Sequence, residues 1–333
     1  MRVLLWGVSS SAGFRRALNA LGRAGFNLTE CVGFRNCLPA LRAAWVRGNV
    51  IVAAAPAPLA VRAVAPLIKG KELDPALVAV TPSGSAAVPL LNEHWGGAFM
   101  CEVLERLGCV ESCVQTSLLA SEGVMSPDDL AFRLRSRLTS GRFEGVRRVV
   151  EALVRGEAPK LFLDSHAHAL IRGLADPRVD ALLRRAELAG SPVDADLCIA
   201  SKPVAGCGGP AFTLKRVAAG AGFCSVAGGE DVLRSLDAVL NLLGLPRGRV
   251  EAVAVPARRA GHPAVRLLRD AGFRVVLKPV GEAARFGVPS RRGGRFGVRS
   301  VAEALARSVL GGGTALIVKA LFTNVTVSLV EGR

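Results

Sequence analysis

One histidine of this sequence stands in a setting suited to acid–base chemistry. His94 follows an apolar strand candidate, with Glu93 before it and Gly96 and Gly97 shortly after it. Glycines let a backbone approach a ligand closely, and amides at a helix start can donate to an anion. A neutral imidazole there could deprotonate water or stabilise an oxyanion, with Glu93 as an alternative base. A histidine that only hydrogen-bonds its own loop would show the same pattern.

Residues that could hold an anionic substrate lie on either side of His94. Arg62, Lys69 and Lys71 bracket a proline-bearing turn. Arginine can bind a carboxylate through two hydrogen bonds, and lysine acts as a mobile point charge. Thr116 and Ser117 could donate hydroxyl groups to the same ligand. The alternative interpretation is a solvated basic face and an ordinary strand end.

A separate candidate is the run Asp164-Ser165-His166-Ala167-His168, which follows an apolar strand candidate. At the period of a strand, Asp164, His166 and His168 would share one face, as metal ligands require. The run resembles the first metal-ligand segment of amidohydrolase-type enzymes. The remaining ligand motifs and a repeated βα pattern are missing from the sequence, so we predict no metal site.

Composition restricts the classes of function. The chain has 333 residues, half of them apolar, and a net charge of +16. Such a charge attracts polyanions, but the absence of tyrosine and an aromatic content of 5% argue against a base-stacking nucleic-acid platform. A small polycarboxylate substrate would suit the charge equally well. No segment has the pattern of an export signal or a membrane span, so we expect a cytoplasmic protein.

The eight cysteines and the order of the elements complete the prediction. No cysteine pair has the CxxC spacing of a zinc site, and we expect the cysteines to act as small buried apolar residues. Strand and helix patterns alternate, which predicts an α/β fold. We place an N-terminal α/β domain at 1–138, a smaller middle segment at 139–193 and a C-terminal α/β domain at 194–333. Ser126 should begin a helix that runs to about Leu138, and Leu197 to Ala200 should be the first strand of the C-terminal domain.

Two further acidic residues have structural interpretations. Asp74 precedes a proline and is more typical of a turn or cap than of a catalytic acid. Ser300 and Glu303 have the spacing of a capping box, in which Glu303 reaches back to the start of the helix.

Motifs at both ends of the chain resemble one family. Residues 60–80, AVRAVAPLIKGKELDPALVAV, and 88–99, VPLLNEHWGGAF, are similar to the N-terminal signature of the cobalt-precorrin-5A hydrolases. FGVPS, FGVRSVAEALA and ALIVKALFTNVTVSLV are similar to the C-terminal domain of that family. The order and the spacing agree at both ends, so the resemblance covers most of the chain.

The resemblance implies a hydrolytic reaction in anaerobic cobalamin biosynthesis. That family opens the δ-lactone of cobalt-precorrin-5A with water and releases a two-carbon fragment as acetaldehyde. Cobalt enters with the substrate, so we expect no cofactor, and neighbouring enzymes of the pathway are candidate partners. The C-terminal motifs imply substrate contacts by Ser290 and Lys319, although Lys319 could equally lie on an exposed strand edge.

Some positions of the family pattern are replaced in this sequence. The family's SGH is here Asn92-Glu93-His94, and its threonine-rich step is Thr116-Ser117-Leu118-Leu119-Ala120. These replacements motivate a second hypothesis, a non-catalytic relative that binds a corrin or another tetrapyrrole. A third hypothesis is a basic nucleic-acid-binding protein, whose binding would fall steeply with salt.

Overall fold

The computed structural model describes residues 1–290 and 296–332. Contacts between residues divide the chain into two units. The larger unit consists of Leu4–Ala17 and Glu30–Lys215, and the smaller unit consists of Met1–Val3, Leu18–Thr29 and Arg216–Arg333. Among the described residues, no helix combines the length and the apolar character that a bilayer-spanning segment needs.

The first sheet has the strand order β2-β1-β3-β4-β5-β6. Its strands are β1 (Val3–Gly7), β2 (Leu28–Val32), β3 (Val50–Ala54), β4 (Ala76–Val80), β5 (Ala86–Leu91) and β6 (Ser112–Cys113). The helices of this stretch are α1 (Ala12–Arg23), α2 (Leu38–Ala44), α3 (Ala57–Val64) and α4 (Gly97–Arg106). β3 and β4 are parallel and completely buried, as expected for continuous apolar runs covered on both faces. β5 then returns antiparallel to β4 and leads directly into the loop of His94.

The second sheet of the larger unit has the strand order β7-β11-β10-β8-β9. Its strands are β7 (Ser136–Ser140), β8 (Lys160–Leu163), β9 (Glu187–Leu188), β10 (Leu197–Ala200) and β11 (Ala211–Leu214). Its helices are α5 (Leu118–Ser121), α6 (Pro127–Arg133), α7 (Phe143–Val154), α8 (Ser165–Arg172) and α9 (Pro177–Arg185). One apolar cluster joins α6, α7, α8 and α9 to this sheet.

The α/β fold class is confirmed, but the predicted boundaries need correction. The hydroxyl of Ser126 accepts from the backbone N–H of Asp129, so the predicted start of α6 is correct. The helix ends at Arg133 and not near Leu138, because Arg135 adopts a left-handed conformation with φ of 55°. The chain then enters β7, and β10 pairs with β8 and β11, which places Leu197–Ala200 in the second sheet. The stretch 139–193 is therefore part of a complete sheet domain that continues past residue 194.

The smaller unit contains a sheet with the strand order β14-β13-β12-β16-β15. Its strands are β12 (Val217–Phe223), β13 (Ala252–Pro256), β14 (Val275–Lys278), β15 (Thr314–Leu321) and β16 (Val325–Glu331). Its helices are α10 (Gly229–Leu242), α11 (Pro263–Asp270), α12 (Val280–Ala284) and α13 (Val301–Leu310). β15 and β16 pair antiparallel on either side of Asn324. α13 lies so close to β12 that a Cβ atom at Gly220 would sit 1.9 Å from the carbonyl oxygen of Ala302.

Half of the predicted capping box is present at α13. The hydroxyl of Ser300 accepts from the backbone N–H of Glu303 at 3.2 Å. The buried carboxylate of Glu303 does not reach back, because it binds Arg299 at 2.7 Å and Arg307 at 2.9 Å. Glu303 is therefore the centre of an ion-pair cluster within the smaller unit.

Six of the eight cysteines form disulfide bonds, contrary to the expectation that they act as small apolar residues. The bonds are Cys31–Cys37, Cys101–Cys113 and Cys198–Cys207. Cys109 and Cys224 are not bonded. The bond between Cys101 and Cys113 joins α4 to β6, which are the elements that follow His94 and precede Thr116.

Reduction of these bonds is expected to destabilise the larger unit. In the loop-entropy model, closing a loop of this length contributes roughly 2–3 kcal/mol per bond. Trp6, Trp45 and Trp95 all lie in the larger unit, so tryptophan fluorescence reports its unfolding. Tris(2-carboxyethyl)phosphine should lower the unfolding temperature measured in this way. Alkylation of the denatured, unreduced chain should label two cysteines, and labelling of all eight would contradict the assignment.

Candidate functional site

The turn before β4 is folded around the carboxylate of Asp74. This buried group accepts hydrogen bonds from the backbone N–H of Lys69 at 3.0 Å and of Gly70 at 2.9 Å. It also accepts one from the indole N–H of Trp45 at 3.0 Å. Asp74 therefore organises the turn, as the sequence indicated. The turn carries Lys71 to the wall of a cavity.

The loop of His94 is fixed at both of its ends. Asn92 adopts a left-handed conformation, and its side-chain amide donates to the carbonyl oxygen of Asp74 at 2.8 Å. Glu93–Trp95 forms a single 3-10 turn. The ring of Trp95 packs at centroid distances of 5.4–5.7 Å against Phe132, Phe143 and Phe212. These contacts anchor the loop in the apolar cluster of the second sheet and so fix the position of His94.

A cavity of about 450 Å³ lies beside this loop, within the larger unit. Its walls combine an apolar part with a polar part. The apolar part includes Ile68, Leu90 and Leu91. The polar part consists of Lys71, Asp74, Asn92, Glu93, His94, Thr116 and Ser117. The structure therefore brings together five residues singled out in the sequence: Lys71, Glu93, His94, Thr116 and Ser117.

Asp128, the second residue of α6, lies behind His94 and is completely buried. Its Oδ1 atom is 3.3 Å from Nδ1 of His94, and its Oδ2 atom is 3.5 Å from Nζ of Lys71. Both distances are longer than a well-formed hydrogen bond. An imidazole whose Nδ1 faces a carboxylate presents Nε2 as the basic nitrogen.

The charges around this pair set the pKa values. Burial alone lowers the pKa of His94, but the contact with Asp128 and the charges of Asp128 and Asp129 outweigh burial and raise it above its usual value. Burial alone would raise the pKa of Asp128, but His94, Lys71 and the hydroxyl of Ser126 hold it far below its usual range. Asp128 is therefore a permanent anion behind a histidine of increased basicity.

Glu93 is a weaker candidate for the base than the sequence suggested. Its carboxylate accepts from the backbone N–H and the hydroxyl of Thr116, at 3.1 and 3.0 Å, and from the backbone N–H of Ser117 at 3.2 Å. Burial raises the pKa of Glu93, but these hydrogen bonds outweigh burial and lower it. A carboxylate stabilised in this way is a poor proton acceptor, so Glu93 holds the loop of Thr116 and Ser117 in place.

Gly96 and Gly97 serve packing and do not expose the backbone to a ligand. Both residues are buried. Gly96 has a φ of 111°, and a Cβ atom there would meet the ring of Phe132 at 3.0 Å. A Cβ atom at Gly97 would meet Pro89 and the carbonyl oxygen of Asn92 at 3.1 Å. The glycines allow α4 to start directly against α6 and β5, which corrects their predicted substrate-binding role.

The other predicted contact residues lie elsewhere. Arg62 on α3 and Lys69 have exposed side chains that do not line the cavity. Ser290 and Lys319 belong to the smaller unit. The backbone N–H of Ser290 donates to Gly297 at 2.8 Å, and Lys319 is exposed on β15. Their roles as substrate contacts stay predictions.

The run from Asp164 to His168 starts a helix and not a strand. Asp164 is the N-cap of α8, and its carboxylate accepts from Ala167 and from the backbone and hydroxyl of Ser201. In a helix, side chains two residues apart point to different sides, so Asp164, His166 and His168 do not all share one face. Within residues 1–290 and 296–332, no group of three or more His, Cys, Asp or Glu side chains is arranged to hold a metal ion.

Asp128 is the residue of this site that the sequence did not reveal. At the start of a helix such as α6, an acid is expected to favour the positive end of the helix dipole. A single acid in the first turn is enough for this interaction with the dipole. The neighbouring acid, Asp129, accepts a hydrogen bond from Nε of Arg133 at 2.9 Å. The presence of two adjacent acids was the one sequence feature that could have drawn attention to Asp128. His94, which Asp128 contacts, is too distant in sequence for a pattern to connect the two residues.

Comparison with known proteins shows what part of the chain is similar to. Residues 39–115, which contain Lys71 and His94, match the family model described as Cobalamin synthesis G N-terminal. The chain resembles this family over that stretch, which is less than half of its length. Over 146 residues it is 32% identical to the cobalt-precorrin-5A hydrolase of Salmonella typhimurium, which is 42% of this chain. The alignment covers only 39% of the length of that curated relative.

The fold of the chain is similar to that of a solved structure. The crystal structure of a cobalamin biosynthesis protein G homologue from Sulfolobus solfataricus matches with a TM-score of 0.58 and 18% identity. That match covers 100% of this chain and 97% of the other, so the two proteins share a fold. A second match is to CobE, a protein from the cobalamin biosynthetic pathway, with 17% identity and a TM-score of 0.31. This match covers 35% of this chain and 90% of CobE.

Proposed function

We propose that the chain is a cobalt-precorrin-5A hydrolase, which opens the δ-lactone of cobalt-precorrin-5A and releases acetaldehyde to give cobalt-precorrin-5B. The observation that carries this proposal is the pairing of His94 with the buried Asp128 at the wall of a polar cavity. Most of that wall comes from the stretch that matches the family model. The curated relative with the name of this activity adds independent support.

The proposed first step is attack of water on the lactone carbonyl. Nε2 of His94 takes one proton from the water, and the resulting hydroxide adds to the carbonyl carbon. Asp128 stabilises the imidazolium that forms, as the carboxylate does in a catalytic triad. Collapse of the tetrahedral intermediate breaks the ester C–O bond, and His94 returns the proton to the alkoxide that leaves. The products of this step are a carboxylic acid and an alcohol.

The second step of the proposed reaction breaks a carbon–carbon bond. The freed hydroxyl group loses its proton to a base, its C–O bond becomes the C=O bond of acetaldehyde, and the electron pair of the broken bond stays on the macrocycle. Neutral His94 is available as this base after the first step. The hydroxyl of Ser117 and the charge of Lys71 lie on the same cavity wall and can bind substrate carboxylates. Cobalt would arrive within the substrate, and no further cofactor is needed for this chemistry.

Turnover is expected to depend on pH in a manner that identifies His94. The imidazole must be neutral to accept a proton, so kcat/KM should rise with pH through a midpoint above 6.5, the ordinary pKa of histidine. Asp128→Asn removes the contact that raises this pKa, so its midpoint should move to lower pH. The measurement is acetaldehyde release from cobalt-precorrin-5A under anaerobic conditions. A rate that does not change with pH between 5 and 9, or no release at all, would contradict the proposal.

A further inference from the structure

Asp128 is shared by two cationic groups that differ in mobility. One carboxylate oxygen faces Nδ1 of His94, whose side chain is 15% exposed, and the other faces Nζ of Lys71, whose side chain is 49% exposed. Lys71 lies on the turn before β4 and lines the cavity. Asp128 lies on α6 with no exposed surface. A ligand in the cavity can therefore reach Lys71 but cannot reach Asp128.

The other charges near His94 are already engaged with partners. Asp129 on α6 binds the guanidinium group of Arg133 at 2.9 Å. Glu93, on the same 3-10 turn as His94, is bound by Thr116 and Ser117. The turn that carries Lys71 also holds Asp74, whose carboxylate is bound by backbone N–H groups and Trp45. The contact between Lys71 and Asp128 is thus the one in this group that a ligand could exchange without breaking a buried hydrogen bond.

We infer that Lys71 is a positioning residue that couples the binding of an anionic substrate group to the basicity of His94. A carboxylate that binds Nζ of Lys71 draws it away from Asp128 and leaves the negative charge of Asp128 to His94 alone. His94 then becomes a stronger base when the cavity holds the anion. This inference rests on the proposed function and adds a reason why a neutral analogue would be hydrolysed more slowly than an acidic substrate.

The physical basis is Coulombic competition for one buried anion. A lysine charge beside Asp128 favours neutral His94, and the charge of Lys71 does act to lower the pKa of His94. Moving that charge outward to a ligand carboxylate weakens this effect, because solvent and the new partner screen it. Neutral His94 still accepts the proton, but it holds the proton more tightly in the transition state.

The test is a histidine titration by NMR, which requires no turnover. The ring signal of His94 is assigned by its loss in His94→Gln, since the chain has only three other histidines. In Lys71→Met the titration midpoint of His94 should move to higher pH than in the wild type. Lys71→Arg, the matched control, keeps the charge and should leave the midpoint close to the wild-type value. An unchanged or lower midpoint in Lys71→Met would overturn the inference, provided that thermal unfolding shows a folded variant.

A ligand titration tests the coupling itself. Propionate, at constant ionic strength, should raise the midpoint of His94 in the wild type in a saturable manner. Neutral propionamide should not do so, and propionate should have no effect on Lys71→Met. An equal response of the wild type and Lys71→Met to propionate would overturn the coupling. This test measures a titration midpoint and not turnover, so its outcome is independent of the activity assay. The coupling could be confirmed in a chain that releases no acetaldehyde, and it could be refuted in a chain that does.

Discussion

Replacing His94 with alanine is expected to slow acetaldehyde release from cobalt-precorrin-5A by about 10²–10⁴-fold, the usual contribution of a positioned general base. The replacement also leaves the buried carboxylate of Asp128 without its imidazole partner. Lys71 can still neutralise Asp128, so the loss of stability should be small relative to the loss of rate. The main effect should therefore appear in kcat, because water activation occurs in the transition state.

The control for this measurement is His166→Ala. His166 is exposed on α8 and lines no part of the cavity, so its replacement should leave both turnover and thermal unfolding unchanged. Each variant is assayed anaerobically beside an unfolding curve followed by tryptophan fluorescence. Near-normal turnover in His94→Ala would remove this residue from the mechanism. The search for the base would then move to Glu93.

Sequence patterns located the centre of the candidate site because its parts are local. His94 stands in the LLNEHWGGA motif, and Lys71 and Thr116 lie close to it in sequence. Periodicity also predicted β1, β3, β4 and β5, whose apolar runs are unambiguous. Asp128 could not be found in this way, because its role depends on how α6 packs against the 3-10 turn of His94. The same limit applies to Gly96, whose neighbour Phe132 comes from another element.

The domain boundaries failed for a related physical reason. The helical pattern after Ser126 continues to Leu138 in sequence, but a left-handed Arg135 ends the helix and β7 begins at once. β7 is an edge strand paired with β11, which lies more than seventy residues further along the chain. Such pairings depend on contacts distant in sequence, which local propensity does not report. The disulfide bonds escaped prediction similarly, since spacing alone does not determine which cysteines meet.

A buried group of ion pairs joins α4, α6 and α9 within the larger unit. The carboxylate of Glu102 on α4 accepts two hydrogen bonds from Arg133, at 2.7 and 2.8 Å, and one from Arg178 at 2.7 Å. The side-chain amide of Gln115 donates to it at 2.9 Å. Glu102 and Arg133 are 7% and 5% exposed, so solvent cannot replace these contacts. Because α6 also carries Asp128, this group supports the proposed pair of His94 and Asp128 through the position of the helix.

Glu102→Gln is expected to lower the free energy of unfolding of the larger unit by about 3–5 kcal/mol, since it leaves the buried guanidinium group of Arg133 and the partly exposed one of Arg178 without their shared anion. Burial raises the pKa of Glu102, but Arg133 and Arg178 outweigh it and lower the pKa from 4.5 to about 2. A carboxylate whose pKa is lower in the folded state than in the unfolded state stabilises the fold at pH values above its unfolded-state pKa. For Glu102 this contribution disappears as the pH falls from 4.5 to about 2. The wild type should therefore lose stability in this interval, and Glu102→Gln should lack that part of the loss.

Urea unfolding followed by tryptophan fluorescence measures this effect, because Trp6, Trp45 and Trp95 all belong to the larger unit. The matched control is Glu144→Gln, which breaks ion pairs with Arg147 on the exposed face of α7. Exposed pairs of this kind contribute little to stability because solvent screens them, so the control should unfold close to the wild type. If both variants lost equally little stability, the buried ion pairs would not hold the three helices together. A large loss in Glu102→Gln alone, with reduced turnover, would show that the ion pairs keep α6 in place behind His94.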